Sequence, residues 1–124
     1  YELHGSGHRN YCQHCGKFYD AQYMKSCHDV PRCTCGGIIK PDVVLYEESL
    51  DEQCLMNSVQ AIAQADMLII GGTSLAVYPA AGLIQYFRGK YLVVINKGQT
   101  QRSTGAQLTI DAPIGKVLEQ IQVR

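Results

Sequence analysis

The chain has 124 residues, 46% of them hydrophobic, and its eleven basic and eleven acidic residues leave no formal net charge. This length suits one domain, or a small module attached to part of a larger one. A balanced charge gives no basic footprint for nucleic acid, and no apolar run reaches the length of a membrane span. We therefore expect neither nucleic acid nor a membrane among its partners.

The first third of the chain carries two close pairs of cysteines with metal-ligand spacing. Residues 1–4 have the composition of a short strand, which a Gly-Ser-Gly run ends at residues 5–7. A Cys-x-x-Cys pair and a Cys-x-Cys pair follow, seventeen residues apart; their members are Cys12, Cys15, Cys33 and Cys35. Two such turns deliver four thiolates to a tetrahedral zinc ion. We predict a zinc-binding module over residues 8–40, while two disulfides or a chance cluster of thiols remain alternatives.

The use of all four thiols indicates which kind of zinc site to expect. A closed set of four thiolates leaves no coordination position for water, so the predicted metal is structural rather than catalytic. Thiols kept for a metal also need a reducing environment, which favours a cytoplasmic protein. Cys27 and Cys54 fall outside the two pairs and are interpreted as bystanders.

From residue 41 onward the pattern alternates between strands and helices. The predicted strands are residues 43–46, 67–70, 91–95 and 107–110. The predicted helices are about fifteen residues from Ser49, residues 79–87, and a terminal helix opened by Pro113 with Val117, Leu118 and Ile121 facing inward. Residues 97–107 are polar and are predicted to form a loop, whereas the wholly apolar strand 67–70 is expected to be covered on both faces. This rhythm predicts a parallel α/β sheet.

Two strand ends carry residues suited to binding a polar ligand. Ligands of open parallel sheets bind beyond the carboxyl ends of the strands. Gly71-Gly72-Thr73-Ser74 follows strand 67–70 with amide and hydroxyl donors, and Asn96 follows strand 91–95 with a side-chain amide. A turn of this composition also serves as an ordinary strand-to-helix connection, and these residues alone leave that alternative open.

The order of motifs along nearly the whole chain resembles that of the sirtuins, the NAD-dependent protein lysine deacylases, in their bacterial form. The resemblance rests on Glu2-Leu3-His4-Gly5-Ser6, the two cysteine pairs, the run from Lys40 to Glu48, Gly72-Thr73-Ser74-Leu75 with Val77, Tyr78 and Pro79, and Val94-Ile95-Asn96. It implies that residues 1–7 and 41–124 form part of a Rossmann-like NAD-binding domain. Residues 8–40 correspond to the zinc module, and zinc and NAD are the implied cofactors.

The resemblance also implies roles for individual residues. The four paired cysteines match the family's zinc ligands. The residues that match NAD contacts are Gly72, Thr73, Ser74 and Asn96, with Lys97 and Gly98 extending the loop and Ile114 near the adenine. Val44 and Tyr46 match the walls of the acyl-lysine tunnel, and Glu47 and Glu48 lie where the substrate peptide pairs as an added strand. The family usually has Phe-Gly-Glu at Tyr46-Glu47-Glu48, so this segment departs from its pattern.

The implied reaction converts acyl-lysine and NAD to lysine, nicotinamide and acyl-ADP-ribose. The family's catalytic histidine and its glycine-rich NAD loop precede the segment that begins here at Glu2. We therefore expect this chain to correspond to the carboxyl-terminal part of a sirtuin, to lack the catalytic base and to be inactive alone. His4 is interpreted as a packed structural histidine rather than as the base.

Two further expectations concern partners. An acyl-lysine peptide or protein is the implied substrate, and a partial sheet would expose an edge that invites self-association. The alternative function, from a different class, is a zinc-ribbon protein-interaction module without catalysis.

Overall fold

The computed structural model describes residues 1–98 and 105–122. The chain divides into two compact units, Tyr1–Cys54 and Leu55–Arg124. No helix within the described ranges is both long enough and apolar enough to cross a membrane.

The first unit is built on a three-stranded antiparallel sheet with the strand order β2-β1-β3. The central strand β1 (Gly5–Cys12) pairs with β2 (Phe18–Asp20) on one side and with β3 (Ile39–Val43) on the other. Helix α1 (Ala21–Ser26) begins directly after β2, because the Asp20 carboxylate accepts the backbone N–H of Tyr23 at 2.7 Å. The buried core of this unit consists of Cys12, Tyr19, Cys33 and Ile39.

The second unit contains a three-stranded parallel sheet with the order β4-β5-β6. Its strands are β4 (Met67–Gly71), β5 (Tyr91–Asn96) and β6 (Leu108–Asp111). Along the chain, helix α2 (Glu52–Gln64) precedes β4, a 3₁₀ helix (Ala80–Tyr86) connects β4 to β5, and helix α3 (Ile114–Leu118) follows β6. The buried core consists of Ile70, Leu75, Leu92 and Val94.

The predicted fold class is confirmed, since the chain contains a parallel sheet with helices as well as a cysteine-rich module. Strands predicted at 67–70, 91–95 and 107–110 are each present to within one residue at either end. The helix predicted from Ser49 begins at Glu52 instead. Asp51, rather than Ser49, accepts a first-turn N–H, from Cys54 at 2.5 Å. The residue boundaries assigned to the two domains stay a prediction.

Two predicted strands are wrong because local hydrogen bonds turn the backbone. Residues 1–4 form no strand, since Gly5 donates its N–H to the Glu2 carbonyl at 2.8 Å and has a φ of 76°. The strand predicted at 43–46 ends at Val43. Beyond it, the backbone N–H of Glu48 bonds to the Leu45 carbonyl at 3.1 Å and closes a turn.

Expectations about helix type and burial also need correction. Residues 80–86 form a 3₁₀ helix, which shares i, i+3 neighbours with an α-helix, so apolar spacing does not separate the two. Leu118 and Ile121, predicted to face inward, are 44% and 56% exposed. Met67 and Ile69, predicted to be covered, are 50% and 46% exposed, so only one face of β4 is well buried. The loop predicted at 97–107 lies partly outside the described residues.

Gly89 lies just before β5. At this point the backbone passes close to the turn that precedes β4. A β-carbon at Gly89 would lie 2.2 Å from the Ala65 carbonyl oxygen and 2.7 Å from that of Asp66. Because backbone oxygens cannot swing aside as a side-chain tip can, we expect Gly89→Ala to destabilise the second unit by about 1–3 kcal/mol. Urea unfolding followed by circular dichroism measures this loss.

Gly115 provides the matched control for that substitution. It lies in α3, and nothing stands within 4 Å of the position that its β-carbon would take. Gly115→Ala should leave stability unchanged or raise it by up to about 1 kcal/mol. If both variants lost the same free energy of unfolding, the loss in Gly89→Ala could not be assigned to contact with the Ala65 and Asp66 carbonyl oxygens.

Candidate functional site

The two cysteine pairs converge to form the thiol cluster, which consists of Cys12, Cys15, Cys33 and Cys35. Their sulfur atoms all lie within 4.8 Å of one another. Cys12 Sγ is 3.5 Å from Cys35 Sγ, and Cys15 Sγ is 3.5 Å from Cys33 Sγ. Cys12 and Cys33 are buried, at 3% and 5% exposed, whereas the other two cysteines reach the surface. The cluster therefore joins the core of the first unit to its surface.

The spacing of the sulfurs fits a tetrahedral metal site. Zinc–sulfur bonds of about 2.3 Å place the four sulfurs about 3.8 Å apart. A disulfide would instead bring two sulfurs to about 2.05 Å. None of the six cysteines, all of which lie in the described ranges, forms a disulfide. The cluster can thus hold one zinc ion through four thiolates. The structure contains neither of the two disulfides considered as an alternative.

Backbone groups close tightly around the cluster. The Cys12 sulfur accepts the backbone N–H of His14 at 3.4 Å and that of Cys15 at 3.5 Å. Gly37 packs directly against the sulfurs, and a β-carbon there would lie 2.7 Å from Cys12 Sγ. Gly37, the second glycine after this pair, is therefore required by the lack of space for a side chain.

The thiols differ in acidity because their surroundings differ. The backbone N–H of Cys35 and the hydroxyl of Tyr19 lower the pKa of the Cys33 thiol to about 5. Although the Gly37 amide acts in the opposite sense, the neighbouring thiols raise the pKa of Cys35 to about 12. Without metal the cluster therefore ionises at Cys33 and keeps a proton on Cys35, so zinc binding should release protons.

Loss of one thiol ligand should release the metal and unfold residues 8–40. Binding free energy in such modules is folding free energy, on the order of 10 kcal/mol. We expect Cys33→Ser to lose the one zinc that the parent chain retains, as measured by metal analysis after gel filtration. Cys27→Ser is the matched control, because the Cys27 thiol donates to the Tyr23 carbonyl at 3.4 Å and lies outside the cluster. A metal-free parent chain with an ordered module would contradict the assignment.

The residues predicted to contact an acylated peptide lie in and beside the turn after β3. Val44 and Glu48 line an open cleft of about 570 Å³ within the first unit. Tyr46 and Glu47 stand at the exposed tip of the turn. These four positions are contiguous in the structure, and their role in binding a peptide stays a prediction.

The side chain of Glu48 holds this turn together. Its Oε2 accepts the backbone N–H of Leu45 at 2.9 Å and the Lys40 ammonium at 2.9 Å. The Leu45 N–H and the Lys40 charge lower the pKa of the Glu48 carboxyl. Because the folded-state pKa is lowered, the carboxylate stabilises the turn above its ordinary pKa, and this support is lost as the pH falls through the lowered value.

Glu47 takes a backbone conformation that favours glycine, with a φ of 70°. A positive φ at the third residue marks type II turns, where glycine is usual. A β-carbon in this region costs about 1–2 kcal/mol, partly offset on substitution by the greater freedom of glycine in the unfolded chain. We expect Glu47→Gly to raise the free energy of unfolding by about 1 kcal/mol in thermal denaturation. Glu47→Ala removes the same charge but keeps the β-carbon, so an equal gain there would assign the effect to charge.

The residues predicted to contact NAD lie at the carboxyl edge of the parallel sheet in the second unit. The register pairs Gly71 with Ile95 and Asn96 with Asp111, so the three strands end level. The seven predicted residues follow these strand ends: Gly72, Thr73 and Ser74 after β4, Asn96, Lys97 and Gly98 at the end of β5, and Ile114 after β6. The Ile114 side chain packs over Gly71, where a β-carbon would lie 2.0 Å from its Cδ1. The structure thus brings all seven to one edge, while their binding of NAD stays a prediction.

The turn after β4 is braced from within. Gly72, with a φ of 62°, donates its N–H to the Ile95 carbonyl at 3.1 Å. The Thr73 hydroxyl accepts the backbone N–H of Leu75 at 3.1 Å, and Leu75 is buried in the core. Ser74 lies between them and is exposed. The hydroxyl of Ser74 is therefore the one better placed to meet a ligand.

Three charged residues in these sites were given no individual role from the sequence. Asp111 Oδ1 accepts the backbone N–H of Gly98 at 2.8 Å and so holds the loop after β5. Arg9 forms ion pairs with Glu2 and, at 2.8 Å, with Asp42. Lys40 bonds Glu48, as described above. The sequence signal for Asp111 was its position directly after an apolar strand. The sequence held no comparable signal for Arg9, because its contact with Asp42 arises from the pairing of β1 with β3.

His4 does not fit the expectation of a packed histidine. It is exposed, and its backbone carbonyl accepts the N–H of Val44 at 3.1 Å. The contribution of His4 to the structure therefore comes from the backbone rather than from the ring.

Comparison with known proteins identifies relatives of the whole chain. The Sir2 family profile matches residues 1–79. An NAD-dependent protein deacetylase of Clostridium acetobutylicum is 60% identical over 123 residues, and one of Clostridium perfringens is 58% identical over 123 residues. In both, the match covers 98% of this chain and 50% of the relative. The chain therefore spans about half the length of these curated relatives.

Solved structures agree with the sequence relatives. Sir2Tm bound to a propionylated peptide matches with a TM-score of 0.79 at 32% identity, over 96% of this chain and 53% of that one. The Sir2–p53 peptide–NAD⁺ structure matches with a TM-score of 0.76 at 31% identity, over 96% and 52%. With more than half of its residues matched by the family profile, and a fold shared with solved members, this chain belongs to the Sir2 family.

Proposed function

We propose that this chain supplies the zinc module and parts of the NAD and peptide sites of an NAD-dependent protein lysine deacylase. The observation that carries the proposal is the Sir2 family match, joined to the seven predicted NAD-contact residues at one sheet edge. Relatives from two Clostridium species carry the name NAD-dependent protein deacetylase. Solved relatives include one described as bound to an acetylated peptide and another with NAD⁺.

In this proposal the carboxyl edge of the second unit's sheet binds part of NAD. The Ser74 hydroxyl donates to a polar group of the nucleotide, and the Asn96 amide hydrogen-bonds the ribose. Ile114 gives the adenine an apolar wall. Because each polar group would lose a partner when truncated, each truncation should cost about 1–3 kcal/mol of binding.

The turn after β3 is proposed to receive the peptide. An extended peptide can add to an exposed backbone segment as a further strand, with Tyr46 and Val44 beside the acyl-lysine. The reaction class is transfer of the acyl group to ADP-ribose, which leaves lysine and nicotinamide. NAD is consumed as a co-substrate, and zinc acts only on the fold of the first unit.

None of the four histidines of this chain is assigned as the catalytic base. We therefore propose that these 124 residues are inactive when made alone. Self-association through an open strand edge belongs to the same proposal, because β4 and β6 each pair with only one strand in the described sheet. The thiol cluster needs a reducing compartment, and on that ground a cytoplasmic location is proposed.

The zinc-ribbon interaction module is the weaker alternative. A module of that kind needs the thiol cluster but has no use for a parallel sheet with a Gly-Thr-Ser turn and Asn96 at one edge. The deacylase proposal uses both units of the chain.

NAD-dependent release of lysine from an acetylated peptide tests the proposal. The chain is assayed alone and mixed with the separately expressed part of the Clostridium acetobutylicum relative that it does not match. We expect turnover only in the mixture. In that mixture Ser74→Ala and Asn96→Ala should each raise the KM for NAD about tenfold.

Ser26→Ala is the matched control, since the Ser26 hydroxyl donates only to the Tyr23 carbonyl at 2.7 Å and lies in α1. It should leave the KM for NAD unchanged. Turnover by the chain alone that is abolished by His4→Ala would show that the base lies within these residues. If Ser74→Ala and Asn96→Ala both left the KM for NAD unchanged, the turn after β4 would have only a structural role.

A further inference from the structure

Tyr19 is a buried tyrosine whose hydroxyl meets the thiol cluster. It lies in the middle of β2, is 8% exposed, and donates its hydroxyl to Cys33 Sγ at 3.1 Å. Among the described residues this is the shortest hydrogen bond that a sulfur of the cluster receives from outside it. The same oxygen accepts the backbone N–H of Thr34 at 3.4 Å. One hydroxyl therefore contacts both a ligand and the turn that carries it.

The two cysteine pairs differ in how their first sulfur is hydrogen-bonded. In the first pair, two residues separate the cysteines, and the Cys12 sulfur accepts two backbone N–H groups at 3.4 and 3.5 Å. In the second pair only Thr34 separates Cys33 from Cys35, so the turn is one residue shorter. The backbone N–H of Cys35 also acts on the Cys33 sulfur, but the close donor there is the side chain of Tyr19. The hydroxyl therefore supplies at the short turn the second donor that a further backbone amide supplies at the longer one.

Neighbouring groups contact both the Tyr19 ring and the backbone that carries it. Its centroid lies 4.6 Å from that of Tyr23, and the Lys17 ammonium lies 5.4 Å from its centroid. Asn10, which is 1% exposed, donates its side-chain amide to the Tyr19 carbonyl at 3.1 Å. A hydroxyl on so constrained a ring needs little further ordering to make its hydrogen bond.

We propose that Tyr19 is a positioning residue of the metal centre, whose hydroxyl orients the metal-bound Cys33 sulfur and slows the loss of zinc. Hydrogen bonds to the ligands of a metal fix their orientation, and losing one typically costs about 10- to 100-fold in metal affinity. The hydroxyl also draws electron density from the sulfur, so it changes the electronic spectrum of a bound metal. A tyrosine that only filled space would have neither effect.

Transfer of zinc from the 124-residue chain to an excess of a chromophoric chelator tests the proposal. Tyr19→Phe keeps the ring and removes the hydroxyl, and we expect about tenfold faster transfer. Cobalt(II) substituted at the cluster gives a second readout. Its sulfur-to-metal charge-transfer band should shift in Tyr19→Phe, because the electron density on Cys33 changes. Neither readout depends on deacylase activity.

Tyr23→Phe is the matched control, since its hydroxyl donates to the Arg32 carbonyl at 2.9 Å and its ring belongs to the same pair. It should leave the transfer rate within about twofold of the parent chain and the cobalt band in place. Equal acceleration in both variants, or an unshifted band in Tyr19→Phe, would overturn the proposal.

A second variant covers the case in which Tyr19→Phe fails to fold. Replacement of Tyr19 alone by 3-fluorotyrosine keeps the hydroxyl and makes it a stronger donor. Zinc transfer measured near neutral pH should then be slower than in the parent chain. A faster or unchanged rate in this folded variant would contradict the role of the hydroxyl as a donor.

Discussion

The first unit depends on the convergence of four thiols at one point. Two of these cysteines, Cys12 and Cys33, make up half of its buried core, beside Tyr19 and Ile39. A core of only four buried residues covers little apolar surface, so burial alone would leave this unit marginally stable. Metal coordination supplies the missing free energy in such modules. The metal site and the core of the first unit are therefore one structure, and a change to either affects both.

Strand pairing links the thiol cluster to the far end of the antiparallel sheet. Cys12 pairs with Ile39 at the start of β3, and the far end of β3 pairs with Gly5 at Val43. The turn that follows is held by Lys40 and Glu48. The turn lies outside residues 8–40, the zinc module predicted from the sequence. Its position is nevertheless set by β3, which begins at Ile39 beside Cys12. A structural metal at the cluster would therefore support the turn that is proposed to bind the peptide, without taking part in chemistry.

The second unit illustrates a different constraint, the level ending of parallel strands. Since β4, β5 and β6 run the same way in matched register, the loops that follow them emerge at one edge. Glycine at position 71 lets Ile114 pack over the end of β4, and Asp111 fixes the loop after β5 through Gly98. Residues far apart in the chain are thereby gathered where parallel sheets bind ligands.

Close spacing in the chain is what made the zinc ligands and the strands of the second unit predictable. Two ligands on one tight turn, and four or five apolar residues in a row, are local properties that need no knowledge of distant partners. The predicted strand at residues 1–4 and the far end of the one at 43–46 were wrong because single backbone hydrogen bonds, from Gly5 and Glu48, turn the chain. Apolar composition says nothing about such bonds.

By itself the sequence determined the family, the thiol set and the strand-end residues, since each is encoded in short, ordered motifs. Only the tertiary structure decided that Glu47 occupies a backbone conformation suited to glycine, that Arg9 bridges Glu2 and Asp42, and that the Tyr19 hydroxyl meets the Cys33 sulfur. These features depend on which residues the folded sheet brings together. Tyr19 and Cys33 are fourteen positions apart, and no periodicity of the chain relates one to the other; their contact exists because β2 and the second cysteine turn pack into the same small core.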